Sequence, residues 1–330
     1  MSIDFLAIGD IVTEPFIRLK DASVHCTIDN ERCEICMRFG DKIPYEYAKL
    51  AVAVGNASNA AIAASRLGLS SSLRAYVGED RYGVECIEKL KEEKVDISLM
   101  VTEPGKNTNY HYVLWYGSER TILVKHEEFS YSVPELSESP KWVYLSSLAE
   151  NSLPYHEALV SFLDAHPETK LSFQPGTFQM KLGKEALAPL YQRSDLFFCN
   201  KQEAERILGL PGGTEEKVLL EALRALGPKI VVMTDGRDGA YAYDGTRFLF
   251  VPMYPDDREP FERTGAGDAF ASTVTSALAL GKPLEEALLW GPINSMAVVQ
   301  QVGAQDGLLT RDALEAYLGK APDTYAIQTL

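Results

Sequence analysis

No stretch of this chain is both long and apolar enough to cross a bilayer. The longest apolar run, 269–280, is interrupted by Ser272, Thr273, Thr275 and Ser276. Met1-Ser2-Ile3-Asp4 lacks the basic start and apolar stretch of a secretory leader, so a cytoplasmic protein is expected. Positive charge is scarce, with 32 basic against 47 acidic residues and a net charge of −15. Such a chain repels nucleic-acid phosphates, and sequence-wide DNA or RNA binding is excluded. Cysteine is scarce and odd in number, at 5 residues, which excludes a disulfide framework and points to a reducing compartment. Cys33-Glu-Ile-Cys36, with Cys26 and His25 upstream, offers zinc-type ligands but only one close pair. Separate thiols on half-exposed strands are the expectation. There is no G-x-x-x-x-G-K-[ST], and Gly9-Asp10-Ile11-Val12 is not G-x-G-x-x-G. Walker-type phosphate binders and nicotinamide-binding Rossmann proteins are therefore excluded.

What is present is an ordinary core composition, 46% hydrophobic and 24% charged over 330 residues. Short apolar runs at 5–8, 73–77, 142–145, 171–173, 196–199 and 230–234 read as buried strands. Between them lie segments with helical spacing at 51–67, 84–94, 155–165, 183–190, 201–208 and 216–226, and long helices are expected at 267–280 and 283–302. Strands alternating with helices imply a parallel sheet covered on both faces. Two stretches, about 12–47 and 108–125, instead alternate polar and apolar residues and are expected to pair into a small β-sheet lid. The chain reads as one α/β domain, 1–330, with that lid.

The strongest chemical signal is Glu262-Arg263-Thr264-Gly265-Ala266-Gly267-Asp268. Glycines around an alanine leave backbone N–H groups bare, and a helix begins there, so the segment can cradle an anion. Asp268 in the first turn is placed to take a proton from a hydroxyl beside that anion, as phosphoryl transfer requires. The plain alternative is a tight turn whose aspartate favours the helix dipole.

Other segments fall in a consistent order. Gly9-Asp10 through Glu14 closes the first strand, and Val54-Gly55-Asn56-Ala57-Ser58-Asn59 opens an alanine-rich helix. Val77-Gly78-Glu79-Asp80-Arg81-Tyr82-Gly83 is a turn read as structural. Asn200-Lys201-Gln202-Glu203 follows a strand and alone would be a helix cap with a capping glutamate. Thr234-Asp235-Gly236-Arg237-Asp238-Gly239 precedes a hairpin, and Val302-Gly303-Ala304-Gln305 lies near the end.

With these segments the chain resembles, over nearly its whole length, the ribokinase-like (PfkB) family of carbohydrate kinases. The family's D-T-x-G-A-G-D signature is matched from Thr264 onward, with Glu262 and Arg263 departing from its start. The resemblance implies a ribokinase-like three-layer α/β sandwich with a mostly parallel sheet and a lid. It implies catalysis by Asp268 with the cradle Gly265, Ala266 and Gly267, and substrate binding by Asp10, Glu14, Gly55, Asn56 and Asn59. It implies ATP bound near Asn200, Glu203, Thr234, Gly236, Gly239 and Asn294, with Mg2+ held indirectly through Glu203. A monovalent cation, K+, would use Glu262 and Thr264.

A sugar or sugar-like alcohol is the leading substrate class, and a nucleoside is the alternative. A phosphorylated substrate would require Lys125, Arg18 and Arg38 to converge. A catalytically silent ligand-binding homologue is a third reading, opposed by the intact Asp268. Open strand edges in the lid make a homodimer the expected assembly.

Overall fold

A computed structural model describes residues 2–26, 33–117, 119–136, 138–256 and 258–330. Its main sheet has nine strands. Six run parallel in the spatial order Ile230–Thr234, Leu196–Asn200, Lys170–Phe173, Trp142–Leu145, Phe5–Ile8 and Ser71–Arg74. Three antiparallel strands, Ala240–Tyr243, Phe248–Val251 and Gln328–Thr329, extend it beyond Ile230–Thr234.

Apolar residues on both faces of these strands explain the layering. Phe5, Ala7, Trp142 and Tyr144 join one core, which includes Ala60, Phe270 and Trp290. Leu6, Ile8, Val143 and Leu145 join the other, with Leu159, Tyr191 and Leu220. Helices therefore bury both faces, giving three layers.

The lid is a second sheet in the order Glu119–Leu123, Tyr112–Tyr116, Val12–Leu19, Tyr45–Val54, with Asn109–Tyr110 also paired to Val12–Leu19. Its two halves meet in parallel, Val113 opposite Phe16. Phe16, Val113 and Trp115 pack beneath it against Val302.

Several expectations need revision. Residues 51–54 belong to the strand Tyr45–Val54, and the helix starts only at Asn56. Pairing with Val12–Leu19 overrides alanine's weak strand preference there. The single helix expected at 183–190 is two, Thr177–Leu182 and Ala188–Arg193, separated at Gly183 with φ 87°. A closing helix, Arg311–Leu318, went unanticipated. The cysteines differ as well. Strands Ser23–Cys26 and Cys33–Cys36 pair so that Cys26 faces Cys33, and these two form a disulfide while Cys36 is free. Among the described residues no cluster of three or more His, Cys, Asp or Glu side chains could hold a metal ion.

Candidate active site

The candidate site lies where the parallel strands end at their carboxyl edge, the usual ligand crevice of an open α/β sheet. Asp10 follows Phe5–Ile8, Gln174 follows Lys170–Phe173, and Asn200 and Thr234 are the last residues of their strands. Against this edge stands the helix Ala266–Ala279, whose N-cap Gly265 has φ 81°. A Cβ on Gly265 would collide with Ala304, so both the left-handed backbone and the close approach call for glycine.

Asp268 is the hub. Its Oδ1 accepts from Asn56 Nδ2 at 2.8 Å and its Oδ2 from Asn59 Nδ2 at 2.9 Å, with Gln174 Nε2 at 3.4 Å from Oδ1. Burial pushes the Asp268 carboxyl above its ordinary value, against the opposing effect of the three amides, and the Glu14 charge adds to the rise. Asn59 is itself oriented by Gln305, whose Nε2 donates to Asn59 Oδ1 at 3.0 Å and to Ala53 O at 2.6 Å. Asn56 and Asn59 thus direct amide N–H groups at Asp268, not only at space a ligand would fill. Gly55 has φ 111°, and a Cβ there would lie 2.7 Å from the Asp10 carbonyl.

Two cavities meet at this helix start. One, of about 390 Å³, is lined by Glu14, Gly55, Asn56, Asn59, Gln174, Asn200, Glu203, Thr264, Gly265, Gly267 and Asp268 among others. The other, of about 600 Å³, is lined by Asn200, Thr234, Gly236, Gly239, Ala266, Gly267, Met253, Pro292 and Met296 among others. Asn200, Thr234, Arg120, Arg263, Gly267 and Phe270 border both.

Asn200 and Glu203 form a reciprocal cap. Asn200 Oδ1 accepts from the Glu203 N–H at 2.8 Å, and Glu203 Oε2 accepts from the Asn200 N–H at 2.9 Å. Burial raises the Glu203 carboxyl, opposed by the Asn200 backbone.

Two expected site residues do not line these two cavities. Asp10 lines neither cavity; its Oδ1 accepts from Tyr131 Oη at 3.1 Å, and His126 Nδ1 comes within 2.8 Å of Oδ2 without hydrogen-bond alignment. Asn294 is fully buried between helices, donating to Thr273 Oγ1 at 2.8 Å and accepting from the Leu309 N–H at 2.9 Å. These two bonds tie the helix that carries it to Thr273 and to the segment at Leu309. Lys125, Arg18 and Arg38 do not converge either, since they pair with Glu127, Glu46 and Asp41 respectively. The turn at Asp80 is structural: its carboxylate accepts from the Gly83 and Thr108 N–H groups at 2.8 Å each, tying a helix start to the lid's second stretch.

Gln174 and Arg120 line the cavities and were not anticipated there, nor were His111 and His126, which lie beside Glu14 and Asp10. Gln174 had a signal, a polar residue directly after a buried strand and before Pro175-Gly176. The two histidine rings lie 4.9 Å apart, with His111 Nδ1 3.2 Å from Glu14 Oε1.

The profile of the pfkB family of carbohydrate kinases matches residues 51–311, and the chain belongs to this family. Like its relatives the protein is a kinase. It is 28% identical to a ribokinase of Bacillus subtilis, over 80% of this chain and 87% of that one. It is 29% identical to an ATP-dependent 6-phosphofructokinase of Thermoanaerobacterium thermosaccharolyticum, over 76% and 80% of the two chains. A nucleoside kinase of Methanothermobacter thermautotrophicus is 25% identical over 77% and 80%. Among solved structures, the fold is similar to that of the ribokinase of Arabidopsis thaliana complexed with ribose and ATP, with TM-score 0.76 and 18% identity over 96% and 99% of the chains. It is also similar to the nucleoside kinase of Methanocaldococcus jannaschii, with TM-score 0.75 and 21% identity over 96% and 98%. The ribokinase fold expected from the sequence is thereby established.

Proposed function

We propose that this kinase transfers the terminal phosphate of ATP to a hydroxyl of a sugar or sugar-like alcohol, with Asp268 as general base. The observation that carries the reading is the position of Asp268 on the smaller cavity, directly after Gly267, which borders both cavities. The acceptor occupies the smaller cavity, where Glu14 and the amides supply paired hydrogen-bonding groups suited to neighbouring hydroxyls. The nucleotide occupies the larger one, against Thr234, Gly236 and Gly239, with apolar Met253, Pro292 and Met296 toward the base.

Asp268 accepts the hydroxyl proton as that oxygen bonds to the terminal phosphorus. The bond from phosphorus to the bridging oxygen then breaks and ADP leaves. The N–H groups of the cradle and the helix N-terminus face the phosphoryl oxygens, where charge accumulates in transfer.

Magnesium, when bound, neutralises phosphate charge. With no three-ligand protein cage among the described residues, it fits a site that keeps its waters and takes the phosphates as ligands. Asn200 and Glu203 are the residues that would hold its water shell.

The whole chain acts as one α/β unit whose lid excludes water from the transferred group. We place it in the cytoplasm, where ATP is supplied, and as a homodimer through the lid. None of the described helices is long and apolar enough to span a membrane.

Asp268→Asn is expected to lower turnover by roughly three orders of magnitude while nucleotide binding by calorimetry stays nearly unchanged. Near-normal turnover in that variant would remove Asp268 as the base. A panel of sugars and nucleosides with ATP and magnesium decides the acceptor. Preference for nucleosides would replace the sugar reading, and no turnover on any acceptor would favour a silent binding homologue.

A further inference from the structure

The direction in which Asn59 presents its amide to Asp268 is fixed from outside that pair. An amide side chain has a donor end and an acceptor end of nearly the same shape, and its other partners decide which one faces a carboxylate. For Asn59 that partner is Gln305, 246 positions away in the chain. Gln305 Nε2 donates to the Ala53 carbonyl at 2.6 Å and to Asn59 Oδ1 at 3.0 Å, and Asn59 Nδ2 donates to Asp268 Oδ2 at 2.9 Å. A backbone carbonyl only accepts, so it holds the nitrogen of Gln305 on its side. The second N–H of that nitrogen then holds the oxygen of Asn59, and what Asn59 has left for Asp268 is N–H. The surroundings keep this order. Ala53, Asn59 and Gln305 are all buried. Ala53 has φ 58°, a left-handed conformation that residues other than glycine adopt at a cost. The Gln305 carbonyl accepts from Arg66 Nη1 at 2.8 Å, at the far end of the helix that carries Asn59. Its neighbour Ala304 stands where a Cβ on Gly265 would be, against the N-cap of the helix that carries Asp268.

We propose that Gln305 is a positioning residue for the base: by fixing the Asn59 amide it keeps an N–H, and not a carbonyl oxygen, against Asp268. The assignment rests on the reading of Asp268 as base given above. A donor aimed at a carboxylate favours its charged form, the form that takes the acceptor's proton, and a carbonyl oxygen in the same place disfavours it. Asp268 also faces the Asn56 amide, the charges of Glu14, Glu203, Arg120 and Arg263 around the same cavity, and Tyr144 through Gln174. Substitution of Gln305 leaves all of these in place, so what it changes at Asp268 passes through Asn59.

The test pairs a carbon-13 NMR titration of the Asp268 carboxyl, assigned by its loss in Asp268→Asn, with the pH profile of kcat/KM. Gln305→Met keeps the length of the side chain and loses both donors. We expect its carboxyl signal and its acid limb to move together to higher pH. Its kcat/KM should be about 3- to 10-fold lower on the acid side and nearly recovered above the limb. Gln305→Glu, when ionised, only accepts. It should draw the Asn59 N–H to itself, turn Oδ1 toward Asp268 and lose about 10- to 100-fold. In an Asn59→Ala background Gln305→Met should add nothing to either shift. An unmoved signal and limb in Gln305→Met, or a shift that persists in full without Asn59, would overturn the proposal. An equal loss at every pH with an unmoved limb would overturn it too, since that is what a purely structural role gives. Melting curves accompany each variant, and if Gln305→Glu does not fold, Gln305→Met and its double variant decide. Asp268→Asn separates the two readings. An inactive Asp268→Asn with an unmoved carboxyl signal in Gln305→Met overturns Gln305 alone. An active Asp268→Asn with a signal that moves supports Gln305 as the group that sets this carboxyl and removes the base.

Discussion

At the scale of single residues, the site turns on how one carboxylate is kept ready to accept a proton. Burial and the Glu14 charge raise Asp268, while Asn59, Asn56 and Gln174 pull it back by donating to the charged form. A base must be ionised to act, so kcat/KM should fall as pH drops through a value above the ordinary aspartate range. Asn59→Ala removes the larger of the amide contributions that favour the charged carboxylate. Its acid limb should therefore move to higher pH, which a pH–rate profile of the variant measures; a shift to lower pH would contradict the cause assigned here. Gly55 is constrained by conformation and by space, and Gly55→Ala should cost roughly 1–3 kcal/mol in denaturant unfolding. Much of this was legible in the sequence, because glycine at a turn and an aspartate after it are local signals. The partners of Asp268 were not. Asn56 and Asn59 read as substrate ligands because their contact with Asp268 spans 212 and 209 positions of chain. The surroundings of Asp10 and Asn294 were not legible for a related reason: a motif locates a residue on an element but does not say which way its side chain turns.

At the scale of elements, period and turn chemistry identified the strands and most helices, and tertiary pairing decided the exceptions. Ala51 to Val54 looked helical by composition and is strand because the lid's first strand lies beside it. The closing helix Arg311–Leu318 carried a cap signal in Thr310, whose Oγ1 accepts from the Ala313 N–H at 3.4 Å, but at 8 residues it is short. The helix Asn56–Arg66 that presents both asparagines is anchored at its other end by Arg66. The Arg66 guanidinium forks onto Glu93 at 2.7 and 2.9 Å and also donates to the Gln305 and Leu308 carbonyls at 2.8 Å. Burial would raise Glu93, but hydrogen bonds from Arg66 and Lys89 outweigh it and hold the carboxyl down at about 2. A carboxyl depressed in the folded state stabilises the protein above its ordinary value of 4.5 and loses that contribution as pH falls toward about 2. Glu93→Gln should therefore destabilise by about 1–2 kcal/mol at neutral pH, discounted for partial exposure, with the gap to the unaltered protein closing between those two values. Urea unfolding of both proteins across that pH range measures it, and a gap independent of pH would mean that packing, not charge, is responsible.

At the scale of the whole molecule, the lid presents a face that the other described residues leave exposed. Tyr112 and Leu123 sit opposite each other in the ladder and are 46% and 52% exposed, and Leu50, paired with Pro15 on the same sheet, is 45% exposed. These side chains alternate with Phe16, Val113 and Trp115, which point inward to the lid core. A sheet with one face on the site and apolar side chains outward is suited to backing against the same sheet of a second copy. The strands Glu119–Leu123 and Tyr45–Val54 at its edges add unpaired backbone groups. Opposing this is the charge of −15 on each copy, which repels at long range and is screened by salt. The balance gives a signed expectation: sedimentation should show a dimer whose dissociation constant falls as NaCl is raised from low to physiological strength. Leu50→Glu together with Leu123→Glu should weaken it by about 2 kcal/mol or more, roughly 30-fold, because both place a desolvated charge in the interface and add to the repulsion. A monomer at every concentration, or a dimer indifferent to those substitutions, would leave the outer lid face without this partner. Should the dimer form as argued, each lid is backed by the other, and a strand that carries Arg120 inward is steadied from outside by a second subunit.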